Sequence, residues 1–115
     1  MSDVLASMVC SRLPIGGVVA YCIDLPDRVF CTECFSKSLY PSAAEHMLAN
    51  LARSGRNLLP FEQSARYCWT FECLRVYVAA RKDGISLALM VENTPNAQTA
   101  KIQEMLRDFC DLTEI

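Results

Sequence analysis

The chain has 115 residues, a formal net charge of −2, 52% hydrophobic residues and 21% charged residues. It has no basic stripe, which disfavours nucleic acid as a partner, and no apolar run of the ~18 residues that a membrane span requires. The length predicts one domain over residues 1–115, and the apolar surplus suggests that some surface is buried against a partner. The N-terminus does not resemble a signal peptide, so we expect a cytoplasmic protein with reduced thiols.

A short helix and a β-hairpin are predicted first. The helix covers residues 3–12, where apolar residues follow the spacing of one helical face: Val4, Leu5, Met8 and Val9. Pro14 and the pair Gly16-Gly17 then break the helix. Two strand-like runs follow, Val18–Asp24 and Arg28–Ser36, joined by a turn at Leu25-Pro26-Asp27.

The second half begins with a longer amphipathic helix, Ser42–Leu59. Ser42 and Glu45 form a capping-box pattern at its start, and Pro60 ends it. Three strands follow, at Ala65–Cys73, Arg75–Arg81 and Ile85–Glu92, and Asp83-Gly84 is a hairpin signal. A last helix begins with Thr94 as its cap and Pro95 as its first residue. Its apolar stripe comprises Ala97, Ile102, Met105, Leu106, Phe109 and Leu112.

The predicted element order is therefore α-β-β-α-β-β-β-α. Short links between consecutive strands favour antiparallel pairing. A sheet of this composition needs helices to cover its apolar faces. We predict an α/β (α+β) fold, with a five-stranded antiparallel sheet covered by helices on both faces.

Seven cysteines are present, and Cys31 and Cys34 form a C-x-x-C motif. Side chains alternate faces along a strand, so Cys31 should point with Val29, and Cys34 should point the other way. Cys68 and Cys73 should also face opposite ways. Neither pair can then close around one zinc ion. We predict no metal and cysteines that act as small packing residues, with a zinc or thiol-redox protein as the alternative.

No catalytic centre is predicted. His46 is the only histidine, and helical periodicity places it on the polar side of its helix. The sequence has neither the G-x-S-x-G elbow of the α/β-hydrolases nor the P-loop motif of nucleotide-binding enzymes. We therefore expect a protein that is not an enzyme and that uses no cofactor.

From Leu74, the stretch LRVYVAARKDGISLALMVENTPNAQTAKIQEMLRDF contains a strand, an Asp-Gly hairpin, an apolar strand, a link with asparagine and an amphipathic helix. This pattern resembles the roadblock/LC7 family, and LPIGGVVAYCID is similar to the first strand of that family with its preceding break. The hairpin tip Asp24-Leu25-Pro26-Asp27 departs from the Asp-x-x-Gly-like tip common there. The resemblance covers nearly the whole chain and implies a roadblock/profilin-like fold.

The resemblance also implies a non-enzymatic homodimer whose sheets join edge to edge and whose middle helices lie side by side. Members of the family bind small Ras-like GTPases, motors or signalling scaffolds. The residues expected at the dimer interface are Met47, Leu51, Tyr67, Trp69 and Phe71, although core packing is also open for the aromatic residues. The residues expected to bind the partner are His46, Asn50, Arg53 and Asn57, with Arg53 as the anchor. A PAS-like small-molecule sensor and a type III secretion-type chaperone remain alternatives.

Overall fold

The computed structural model describes residues 2–35, 41–57, 65–95 and 97–112. The helices are α1 (Ser2–Arg12), α2 (Pro41–Asn57) and α3 (Thr99–Asp111); the strands are β1 (Val18–Asp24), β2 (Val29–Cys34), β3 (Ala65–Thr70), β4 (Leu74–Ala80) and β5 (Ser86–Glu92). The five strands form one antiparallel sheet in the order β2-β1-β5-β4-β3. The predicted element order and the α+β class are confirmed.

The central strands β1, β5 and β4 are buried along most of their length. Helix α2 covers one face of the sheet, and α1 and α3 cover the other, so these strands meet apolar side chains on both sides. This double burial explains why β5 reads as a nearly continuous apolar run instead of an alternating one. β2 and β3 form the two edges.

Helix α2 rests on the sheet through small side chains. Ala44, Ala49 and Ala52 are buried around Leu48, which has no exposed surface. Gly55 brings the last turn closer still: a Cβ placed there would lie 2.8 Å from Cγ1 of Val78 in β4. The alanine-rich face and this glycine therefore set a short distance between the helix and the sheet.

The opposite core is built around Phe109 of α3, which has no exposed surface. The guanidinium of Arg12 at the end of α1 donates to the carboxylate of Asp108 at 2.6 Å, and this contact lowers the pKa of Asp108. Arg81, which follows β4, is buried; it pairs with Asp83 at 3.0 Å and donates to the backbone carbonyl of Phe109. Polar contacts thus fasten α3 to α1 and to the β4–β5 hairpin.

Two predicted helix starts are wrong. Helix α2 begins at Pro41, whose fixed φ suits the first helical position, so Ser42 lies inside the first turn instead of capping it.

Helix α3 begins at Thr99, four residues after Pro95. The backbone N–H of Gln98 donates to the carbonyl of Gly16, and the side chain of Gln98 accepts from the N–H of Gly16, both at 2.8 Å. These two bonds help to fix Gln98 in a conformation that is not helical, with φ −81° and ψ 68°. The predicted end of the middle helix at Leu58–Pro60 lies outside the described residues.

Two strand predictions also need correction. β3 ends at Thr70 because the chain turns at once: the N–H of Phe71 donates to the carbonyl of Leu74 at 2.8 Å. In β2, Ile23 pairs with Cys31 but Asp24 pairs with Val29, so the register shifts by one residue. Val29 therefore packs on the α2 side, whereas Phe30 packs against the other core. Cys34 packs against the same core as Val29, although the sequence predicted that it would point the other way. The side chain of Cys31 lies outside the described part of the structure.

Candidate interaction surface on helix α2 and strand β3

One flank of α2 points towards the β3 edge of the sheet. Met47, Leu51 and Gly55 are spaced by four residues and so lie along one side of the helix. A Cβ at Gly55 would lie 3.2 Å from the Tyr67 ring, which places this side next to β3. Met47 and Leu51 are only partly buried against the core beneath α2. We call Met47 and Leu51 the apolar flank of α2.

Strand β3 continues this apolar surface to the edge of the sheet. Its side chains alternate between half-buried and exposed, and Tyr67 and Trp69 are half-buried. Their rings lie 5.9 Å apart between centroids, and both pack against the same core as the apolar flank. The structure therefore brings four of the five predicted interface residues together.

Phe71, the fifth of these residues, lies apart from them. It follows the end of β3 and sits in the β3–β4 turn with 42% of its surface exposed. Asn93 donates from its side-chain amide to the carbonyls of Phe71 and Glu72, both at 3.4 Å. Phe71 thus belongs to the tip of the sheet, because the strand that was predicted to run to Cys73 ends at Thr70.

The outward side of α2 is polar. It carries all four residues predicted to bind a partner, and each of them is exposed: His46, Asn50, Arg53 and Asn57. Their spacing of four, three and four residues makes one stripe along the helix, which we call the polar stripe. It offers amide and imidazole groups that can donate and accept hydrogen bonds, together with one cation. This chemistry suits a reversible protein contact.

Arg53 has a second role that the sequence did not reveal. Its Nη2 lies 3.5 Å from Oδ1 of Asp24, a carboxylate at the end of β1 with no exposed surface. Arg53 itself is 47% exposed, so water screens this pair and it contributes about 1 kcal/mol. A charge reversal at Arg53 would nevertheless set two carboxylates against each other at a buried site. Arg53 is therefore a poor position at which to test partner binding by substitution with glutamate.

The cysteines differ in exposure. Cys22 is buried, and Cys34 and Cys110 are half-buried, whereas Cys10, Cys68 and Cys73 are exposed. The predicted packing role is therefore wrong for Cys10, in α1, for Cys68, at the sheet edge, and for Cys73, in the β3–β4 turn. Cys31 and Cys34 pair with Ile23 and Ala20, which belong to different cores. Over residues 2–35, 41–57, 65–95 and 97–112, no group of three or more His, Cys, Asp or Glu side chains could hold a metal ion.

Comparison with known proteins shows similarity to solved structures. No protein-family model and no curated protein matches the sequence. Within the ranges that the structure describes, no helix combines the length and apolar character that crossing a membrane requires. The solved structure of the roadblock/LC7 domain from Streptomyces avermitilis is similar, with a TM-score of 0.55 over 92% of each chain and 17% sequence identity. The chain has a roadblock/LC7-like fold.

Proposed function

We propose that this chain is a non-enzymatic, cytoplasmic interaction domain that pairs with a second copy of itself through β3 and binds a protein partner on the polar stripe of α2. A small Ras-like GTPase is the partner class that the roadblock-like fold favours. The observation that carries the proposal is the continuity of two surfaces: the apolar flank of α2 runs into the half-buried aromatic side chains of β3, at an edge of the sheet.

Pairing at β3 would satisfy the unpaired backbone groups of an edge strand. An edge strand presents unpaired N–H and C=O groups that can template aggregation. A second β3 would pair those groups and cover Tyr67 and Trp69. It would also bring the two apolar flanks, Met47 and Leu51, side by side on one face of a continuous sheet. An interface of this kind should bury at least ~1,000 Å² in total.

Symmetry restricts the register of such a pair. In a dimer whose two-fold axis is perpendicular to the sheet, both α2 helices lie on the same face of the joined sheet. Residues that lie directly opposite each other on the two β3 strands then point to the same face. Cys68 can then oppose only Arg66, Cys68 or Thr70 of the second copy. In a register centred on Cys68, Tyr67 of each copy lies opposite Trp69 of the other copy. Cross-strand aromatic pairs of this kind stabilise sheets. Opposed Cα atoms in antiparallel strands lie about 4.5–5.5 Å apart, a spacing that a disulfide can bridge.

Oxidative cross-linking tests the pairing. Mild oxidation of the dimer should produce a covalent species of twice the chain mass, and Cys68→Ser should abolish it while light scattering still reports a dimer. Cys73→Ser is the matched control, because Cys73 is also exposed but lies in the β3–β4 turn. A monomer at micromolar concentration would refute the dimer. A dimer whose cross-link survives Cys68→Ser would place the interface elsewhere.

The partner surface needs a separate test. Asn50→Asp adds one negative charge to the middle of the polar stripe, and Gln103→Glu makes the same amide-to-acid change on the exposed side of α3. Binding of Ras-like GTPases from the source organism, loaded with GDP or with a GTP analogue, would be measured by calorimetry. We expect Asn50→Asp to weaken binding and Gln103→Glu to leave it unchanged. Equal effects would exclude the polar stripe, and no binding in either nucleotide state would exclude a GTPase partner.

A further inference from the structure

Helix α1 carries more apolar surface than the sheet covers. Leu5 and Val9 have no exposed surface and pack against the sheet. Their sequence neighbours Val4 and Met8 lie on a different side of the helix, where Val4 is 54% exposed and Met8 is half-buried. α1 therefore has a second apolar strip that the described part of the chain covers only in part, since Met8 also touches the core while Val4 does not.

This strip forms the floor of a groove. The groove runs between α1 and the C-terminal end of α3 and has a volume of about 740 Å³. Leu112 supplies an apolar wall on the α3 side, and Ser7 and Ser11 leave room along α1. The pair formed by Arg12 and Asp108 lies at one end. The groove is on the opposite side of the sheet from α2, so it is separate from the surface proposed above for the partner and the dimer.

The rim of the groove is negatively charged. Asp3 and Asp111 both line it, and among residues 2–35, 41–57, 65–95 and 97–112 neither forms an ion pair. The one lining cation, Arg12, is already paired with Asp108 at 2.6 Å. The lining of the groove carries three carboxylates and one guanidinium, and Arg107 outside it lies 3.6 Å from Asp108. An apolar floor with a net negative rim is complementary to a segment that is apolar on one side and basic on the other.

We propose that the groove between α1 and α3 binds a cationic amphipathic helix of a partner protein. Apolar side chains of that helix would cover Val4 and Met8, and its lysine or arginine side chains would pair with Asp3 and Asp111. A second copy of this chain is the poorer occupant, because a two-fold contact would set one negatively charged groove against another. An anionic lipid surface would be repelled by the same two groups.

A synthetic peptide serves as the probe. It forms a helix of about four turns, with leucine along one side and lysine on the other. Fluorescence anisotropy would compare it with a peptide in which glutamate replaces every lysine. We expect the lysine peptide to bind and its affinity to fall as salt rises, and we expect no binding of the glutamate peptide. Equal binding of the two peptides, or no binding of the lysine peptide, would overturn the proposal.

Substitutions in the groove and elsewhere test whether the lysine peptide binds in the groove. Asp3→Asn with Asp111→Asn should weaken the lysine peptide about tenfold, since rim charges contribute about 0.5–1 kcal/mol each. Asp27→Asn with Glu72→Gln removes the same charge from two exposed turns and should change affinity less than about twofold. Val4→Asn removes the exposed apolar contact and should also weaken binding. Urea unfolding verifies that each variant is folded. Equal losses in the first two double variants would show non-specific attraction and refute the groove.

Discussion

Replacing Gly55 with alanine should destabilise the protein, although alanine is the better helix former by about 1 kcal/mol. The new methyl carbon would lie 2.8 Å from Cγ1 of Val78, whereas carbon atoms in contact prefer about 3.5–4.0 Å. Val78 is fully buried in β4, and its β-branched side chain is stiff about χ1. Overpacking of this kind costs about 1–3 kcal/mol. The net loss of unfolding free energy should be about 1 kcal/mol.

Urea denaturation at fixed protein concentration measures this loss, with the fluorescence of the single tryptophan, Trp69, as the signal. Val78→Ala alone should cost about 2 kcal/mol, but it also makes room for the new methyl group. The double variant should therefore be more stable than the sum of the two losses predicts, by about 1 kcal/mol. Ser54→Ala is the control, an exposed neighbour whose change should stay within about 0.5 kcal/mol. Strict additivity, or a Gly55→Ala protein more stable than the wild type, would refute the steric argument.

Three other substitutions test the contacts around α3. Gly17 has φ +95°, and a Cβ there would lie 2.6 Å from the Cβ of Ala97, so Gly17→Ala should lower the unfolding free energy by about 2–4 kcal/mol. Gly16→Ala meets a flexible side chain at 3.1 Å and should cost less in the same urea titration. Arg12 lowers the pKa of Asp108 in the folded state. The full stabilisation from this pair is therefore present at pH values above the ordinary carboxyl pKa, and it is lost as the pH falls through the lowered pKa. The stability difference between wild type and Arg12→Gln should therefore shrink below about pH 4; a difference that stays constant down to acid pH would contradict this account.

Local chemistry made the order of helices and strands along the chain predictable. The turn at Pro26-Asp27 and the glycine at position 84, which adopts φ +89°, mark hairpins that short-range rules recognise. Helical periodicity likewise placed Asn50 and Asn57 on the exposed side of α2. In each of these cases the deciding interactions lie within a few residues along the chain.

The errors arise where distant residues decide the outcome. Thr94-Pro95 is a sound local start for a helix, but two hydrogen bonds between Gly16 and Gln98 hold Gln98 outside the helical conformation, and the helix begins only after it. Periodicity placed Arg53 on the surface and could not show the buried carboxylate of Asp24 beside it. It also could not show which side of an apolar helix the sheet covers, so the exposed strip at Val4 became visible only in the fold.

The position of β1 between β2 and β5 in the sheet has a consequence for biosynthesis. β1 pairs with β2, which follows it directly, but also with β5: residue 18 pairs with residue 91. A nascent chain can therefore form the β1–β2 hairpin early. The other edge of β1 stays unpaired until β5, near the end of the described chain, has been made. Pairings over such long stretches of chain slow folding and leave apolar strands exposed in the meantime. We therefore expect the nascent protein to need chaperones most after its N-terminal half has been made and before β5 is available.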